Sequence, residues 1–169
     1  MGKIISKLSV IGLLMFTVAS EAQLPSSPPR DFEGLKITLC GTSSPLPAPG
    51  RAQACVVVET PEHLYLIDAG SGSAATANLA GIPTAKLRGI LLTHFHSDHI
   101  SDIGDFNLNS WVAGRPAPLQ IIGPTGVDRI VEGLNITYEL DRGYRVAHHG
   151  EELLNPQLGV LQSRTIEEE

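Results

Sequence analysis

The run Thr93-His94-Phe95-His96-Ser97-Asp98-His99 constrains this chain more than any other stretch, because it crowds three imidazoles and a carboxylate together. Imidazole nitrogen and carboxylate oxygen are ligands that zinc and similar divalent ions prefer. His94 and His96 lie two apart, so on an extended backbone they project to one side. Asp98 and His99 follow where the chain leaves that strand, and can face a second ion. Residues 87–93 read as a short buried strand, an apolar run without polar alternation. Ile100, Ile103, Phe106, Leu108 and Trp111 then recur at roughly helical spacing. The motif therefore falls between the C-terminal end of a buried strand and a helix N-terminus, where open α/β sheets build their sites. Asp102 and Asp105 are expected as solvated carboxylates in the early turns of that helix, where its dipole favours them.

Further strands are expected at residues 35–40, 54–59, 64–67 and 118–122, the first three forming an antiparallel start. Residues 71–81 read as a helix of small side chains, and Thr125 as the N-cap of a final helix running toward Tyr144. Residues 1–22 read as a secretory signal: Lys3 and Lys7, then an apolar stretch, then small residues around Ala22. That stretch is shorter than the roughly 20 residues a bilayer span requires, so no stable membrane span is expected. An uncleaved signal serving as an anchor is the alternative. Residues 23–34 form a Pro/Ser-rich linker, residues 35–149 the domain proper, and residues 150–169 a polar tail expected to be disordered.

The chain carries a net charge of −6 and shows no basic stripe. Nucleic-acid binders usually present a positive footprint, so the balance argues against a nucleic-acid partner. Cys40 and Cys55 are an even pair on strands that can be neighbours. Two buried free thiols are expected, with a disulfide as the alternative in an oxidising compartment. Asn135-Ile136-Thr137 is a glycosylation sequon that has meaning only in a eukaryotic secretory route.

His94-Phe95-His96-Ser97-Asp98-His99 resembles the His-x-His-x-Asp-His signature of the metallo-β-lactamase superfamily. Leu39-Cys40-Gly41-Thr42-Ser43-Ser44-Pro45 is similar to the first strand and glycine-rich turn of its ribonuclease Z and arylsulfatase-like branch. Ser43 stands where that branch commonly has a second glycine. Pro49-Gly50-Arg51-Ala52, Leu66-Ile67-Asp68-Ala69-Gly70, Trp111-Val112-Ala113-Gly114-Arg115 and Ile122-Gly123-Pro124-Thr125-Gly126 resemble the same branch, in the expected order.

The resemblance implies an α/β fold: one half of a four-layer αβ/βα sandwich, a mixed sheet with flanking helices, truncated. It implies two divalent metal ions, zinc first with manganese or iron as alternatives. His94 and His96 would bind one ion and Asp98 and His99 the other, Asp98 also counting as catalytic. In that family a hydroxide shared by the ions attacks the substrate. Asp68 would lie beneath the site and orient a ligand, a use carboxylates commonly serve. An equally weighted reading makes it a strand-to-turn hydrogen-bonding residue before Gly70.

A catalytic zinc normally takes three protein ligands and keeps one open position. Four donors for two ions leave both sites short, and the family's remaining ligands would come from a second half. His148 and His149 are read as part of a connecting segment, and Asp141 as a helix-end residue. The leading expectation is therefore a secreted or periplasmic hydrolase of small esters, such as an aryl sulfate, phosphodiester or lactone, present as an incomplete chain. One alternative is a ribonuclease Z-like nuclease acting on tRNA 3′ ends. The other is a catalytically silent half-domain, forming a homo-oligomer or associating through an exposed apolar sheet face. For the chain as given, silence is expected over activity.

Overall fold

The computed structural model describes residues 32–167. The expected signal, residues 1–22, and most of the linker lie outside them. Strands β1 (Lys36–Gly41), β2 (Cys55–Glu59) and β3 (Leu64–Ile67) form an antiparallel start, joined by a Pro/Gly-rich loop and a tight turn. Helix α1 (Ser73–Leu79) carries the chain to β4 (Leu87–Leu91), which lies parallel to β3. The short α2 (Ser97–Ile100) and α3 (Ile103–Val112) lead to β5 (Leu119–Gly123), parallel again. Helices α4 (Val127–Thr137) and α5 (Glu139–His149) return the chain to β6 (Leu161–Thr165), parallel to β5. The six strands form one mixed sheet in sequence order, flanked by helices. This is the mixed sheet expected from sequence.

Period-two burial makes the sheet one-sided. Val57, Leu66, Ile90 and Ile121 are fully buried and join a core with Ala74 and Ala77 of α1, Ile103 and Phe106 of α3, and Val127 and Val131 of α4. Alternate positions remain open. Ile37 is 57% exposed and Leu39 64%, and their neighbours Val56, Val58 and Tyr65 are half-buried. Among the described residues no helix is long and apolar enough to cross a membrane.

Four details differ from the sequence expectations. Cys40 and Cys55 are joined as a disulfide rather than left as free thiols. The β1–β2 register, irregular between Leu39 and Gly41, sets their Cα atoms 5.0 Å apart, within bridging range. Thr125 does not cap α4; Gly126, with φ 100°, occupies the N-cap position. The final helix is broken at Tyr138, whose ring lies so close to Gly104 that a Cβ there would come within 2.3 Å of it. His148 and His149 form the last turn of α5 instead of a connector; Asp141 is a helix-end residue as expected, in the first turn of α5 and paired with Arg145 at 2.8 Å.

The tail is the largest difference. Instead of being disordered, residues 156–159 form a 3-10 turn and residues 161–165 form β6. Side chains from α3 and the turn after it tie down its backbone carbonyls. Trp111 Nε1 donates to Asn155 O at 3.0 Å, Arg115 Nη2 to Leu158 O at 2.7 Å and Asn107 Nδ2 to Gly159 O at 2.7 Å. Asn135 then clamps Leu161 twice, donating to its carbonyl and accepting from its N–H, both at 2.9 Å.

Candidate metal centre

The parallel strands deliver their C-terminal ends to one edge of the sheet, and the His-rich run begins there. After β4, Leu92 N–H still donates to Ile122 O at 2.7 Å, which holds the departing chain beside β5. His96 keeps an extended backbone (φ −64°, ψ 148°) at the N-cap position of α2. Helix α2 begins at Ser97, so Asp98 and His99 stand in its only turn rather than before a helix. Asp98 is buried, His94 and His99 are half-buried, and His96 is exposed.

The side chains meet in two pairs. His94 Nε2 lies 3.0 Å from His96 Nδ1, with ring centroids 4.6 Å apart. His99 Nε2 lies 3.4 Å from Asp98 Oδ2. The His94 and His99 ring centroids are 4.1 Å apart, so the pairs adjoin. With zinc–nitrogen bonds of about 2.0–2.1 Å in a tetrahedron, two donors to one ion lie roughly 3.3 Å apart. Both pairs are spaced close to that value, and their donor chemistry suits zinc. Among the described residues no group of three or more His, Cys, Asp or Glu side chains is arranged to hold a metal ion. Each pair thus offers two of the three protein ligands that a catalytic zinc takes.

Asp68 lies directly under the cluster. Its Oδ2 is 2.7 Å from His99 Nδ1, and its Oδ1 accepts from Thr93 N–H at 2.9 Å. A carboxylate on Nδ1 fixes the tautomer that carries its proton there, leaving the Nε2 lone pair toward Asp98. Both sequence readings of Asp68 therefore describe part of its geometry: it orients His99, and it also ties the strand end to the turn. Among the described residues it is the one non-glycine with positive φ, at 61°, a conformation that Asp tolerates better than most residues.

Three residues singled out for no such role complete the support. Thr93 Oγ1 donates to Asp68 Oδ2 at 2.9 Å and lies 3.0 Å from His94 Nδ1. Gly70 packs against the backbone of Asp98, where a Cβ would sit 2.0 Å from its carbonyl oxygen. Asp102, expected to be solvated, is instead buried, and its Oδ2 accepts from Ala74 N–H at the start of α1 at 2.9 Å. Burial pushes its carboxyl pKa up, while backbone donors from Ala74 oppose the shift. The loop following Asp68 is further stitched to the motif by Ala69 N–H to His99 O at 2.7 Å and Asp102 N–H to Ala69 O at 2.9 Å. Asp105 is exposed, as expected. The sequence carried two signals for these roles: a hydroxyl at the start of the motif and a glycine two residues after Asp68.

A mixed sheet with paired His and Asp donors at the C-terminal end of its parallel strands defines a class of metal-site α/β domain. The family model described as Metallo-beta-lactamase superfamily matches residues 48–156, and the chain belongs to that superfamily. It is 43% identical over 129 residues to "Ribonuclease Z" of Mycobacterium bovis (strain BCG / Pasteur 1173P2), covering 75% of this chain and 46% of that protein. The protein of the same name from Mycolicibacterium paratuberculosis is 38% identical over 131 residues, covering 76% and 47%. The chain spans about half the length of the curated relatives it matches. Among solved structures, the short form of human tRNase Z superposes with a TM-score of 0.58 at 20% identity, covering 79% of this chain and 45% of that one. The metallo-beta-lactamase fold protein YhfI from Bacillus subtilis gives 0.51 at 25% identity, covering 59% and 42%.

Proposed function

We propose that this chain is part of a metal-dependent phosphodiester hydrolase of the ribonuclease Z type, with RNA as its substrate. The observation that carries the reading is the pair of adjoining donor sets, His94/His96 and Asp98/His99, in a chain 43% identical to a ribonuclease Z. Divalent ions held there, zinc with manganese or iron as alternatives, would supply an activated water and polarise the bond to be broken. The protein's own contribution is orientation. His94 and His96 would hold one ion, and Asp98 and His99 the other. Asp68 keeps His99 in its binding tautomer, and Thr93 keeps Asp68 in place.

The exported small-ester hydrolase is the second reading, and the Cys40–Cys55 disulfide favours it, because such bonds persist in oxidising compartments. The net charge of −6 points the same way. One assay separates the two. Zinc-loaded full-length protein is incubated with a precursor tRNA bearing a 3′ trailer and, separately, with an aryl phosphodiester and an aryl sulfate. Trailer cleavage that disappears in His96→Ala and in Asp98→Ala is the expected result. Turnover of the aryl esters alone transfers the proposal to the second reading. Activity untouched by both substitutions refutes the site assignment.

A further inference from the structure

Helix α5 turns its apolar side to solvent. A surface helix ordinarily lays its apolar stripe, residues spaced i, i+3, i+4 and i+7, against the core. In α5 that stripe is Leu140, Gly143, Tyr144 and Ala147, and all four are exposed, Leu140 by 68% and Tyr144 by 71%. The helix is anchored from its polar side instead. Arg142 Nη2 donates to Asn135 O at 3.0 Å, and the Tyr138 ring just before α5 docks on Gly104 of α3. No atom lies within 4 Å of where a Cβ on Gly143 would sit, so the stripe is open along its middle. Through these anchors α5 lies with α3 and α4 on the helical side of the sheet. A four-layer αβ/βα sandwich sets its second sheet on the opposite, open face and keeps the helices outermost, so the stacking of the two sheets leaves this stripe uncovered.

The ends of the helix are complementary to each other. Glu139 and Asp141 stand in its first turn, and His148 and His149 in its last. Both imidazoles are exposed and make no ion pair among the described residues. A second copy laid antiparallel about a two-fold axis near Tyr144 brings the acidic first turn of each helix beside the basic last turn of the other. The helix dipoles then also oppose favourably, whereas a parallel copy stacks like charge on like. Gly143 and Ala147 carry almost no side chain, which lets the two axes approach closely while Leu140 and Tyr144 cover the partner's stripe.

We infer that α5 is a self-association surface whose partner is a second copy of this chain, packed antiparallel along the Leu140–Ala147 stripe. The inference does not depend on the hydrolase reading, and the two fail separately. The test is sedimentation equilibrium of the full-length protein, with a chelator present so that no metal bridges the exposed imidazoles. A monomer–dimer equilibrium with a Kd in roughly the micromolar range is expected, because one helix pair makes a small interface. Leu140→Gln/Tyr144→Gln should weaken it at least about tenfold, the scale of loss when central anchors are truncated. Both side chains are exposed in the single copy, so circular dichroism should show unchanged helix content. Charge swapping reads the orientation. Glu139→Lys/Asp141→Lys makes both ends of the helix basic, and His148→Glu/His149→Glu makes both acidic. Each variant alone should be monomeric, and an equimolar mixture should restore the dimer. A monomeric parent, a dimer indifferent to Leu140→Gln/Tyr144→Gln, or swapped variants that fail to recombine overturns the antiparallel pairing. A parent that stays monomeric and floats with phosphatidylglycerol vesicles assigns the stripe to a lipid surface and overturns it equally.

Discussion

Thr93 illustrates how one hydroxyl orders a set of candidate donor side chains. It stands where β4 has ended, reaches down to Asp68 and sideways to His94, and thereby couples a buried carboxylate to two imidazoles. Gly70, two residues after Asp68, has no room for a side chain. Gly70→Ala must displace the Asp98 backbone, and chemical denaturation should show a loss of about 1–3 kcal/mol, with weaker zinc binding in calorimetry. Asp102 carries a pH signature. A carboxyl whose pKa is raised by folding favours the native state below its unfolded pKa, near 4, and that contribution is lost as pH rises through the raised value. Asp102→Asn keeps an oxygen to accept from Ala74 and removes the buried charge. The variant should therefore gain stability relative to the parent between pH 4 and 7, when urea midpoints are compared at both ends. A constant difference across that window would refute the assignment.

At the scale of elements, β6 has the least support from its own sequence. Of its five residues only Leu161 is buried, and the remaining four are polar and exposed. A strand of that composition is held by what it adds to: the edge of β5, and the Asn135 amide that bonds both backbone groups of Leu161. Asn135→Ala removes two bonds to a half-buried backbone, an expected loss of about 1–3 kcal/mol. Hydrogen exchange should localise the change, with amides of residues 161–165 opening while those of β4 remain protected. Equal acceleration across the sheet would mean that the clamp is not local. The break at Tyr138 has a similar origin. Helical periodicity continues through it, but the ring docks against Gly104 and turns the chain.

At the scale of the molecule, the Cys40–Cys55 bond closes a loop across the first two strands and secures the edge of the sheet farthest from β6. For a loop with a sequence separation of 15, cross-linking contributes about 3 kcal/mol by restricting the unfolded chain. Reduction with a thiol, or Cys55→Ala, should lower stability by about that amount. A denaturation midpoint indifferent to reductant would contradict it.

The amino-acid sequence by itself determined the strand–motif–helix order and the cluster of candidate donor side chains, because both are local properties. Hydrophobic runs and period-two alternation are written in consecutive residues, and His94, His96, Asp98 and His99 are close enough that any strand exit brings them together. The superfamily was legible for the same reason. What depended on distant partners was not. Asp68 reaches His99 across 31 positions, Ala74 meets Asp102 across 28, and Gly159 meets Asn107 across 52. Whether the two cysteines bond, whether Asp102 is wet or buried, and whether a polar tail becomes a strand were all decided by tertiary register. A polar group's state depends on which donor the fold brings within about 3 Å of it, and local sequence does not encode that distance.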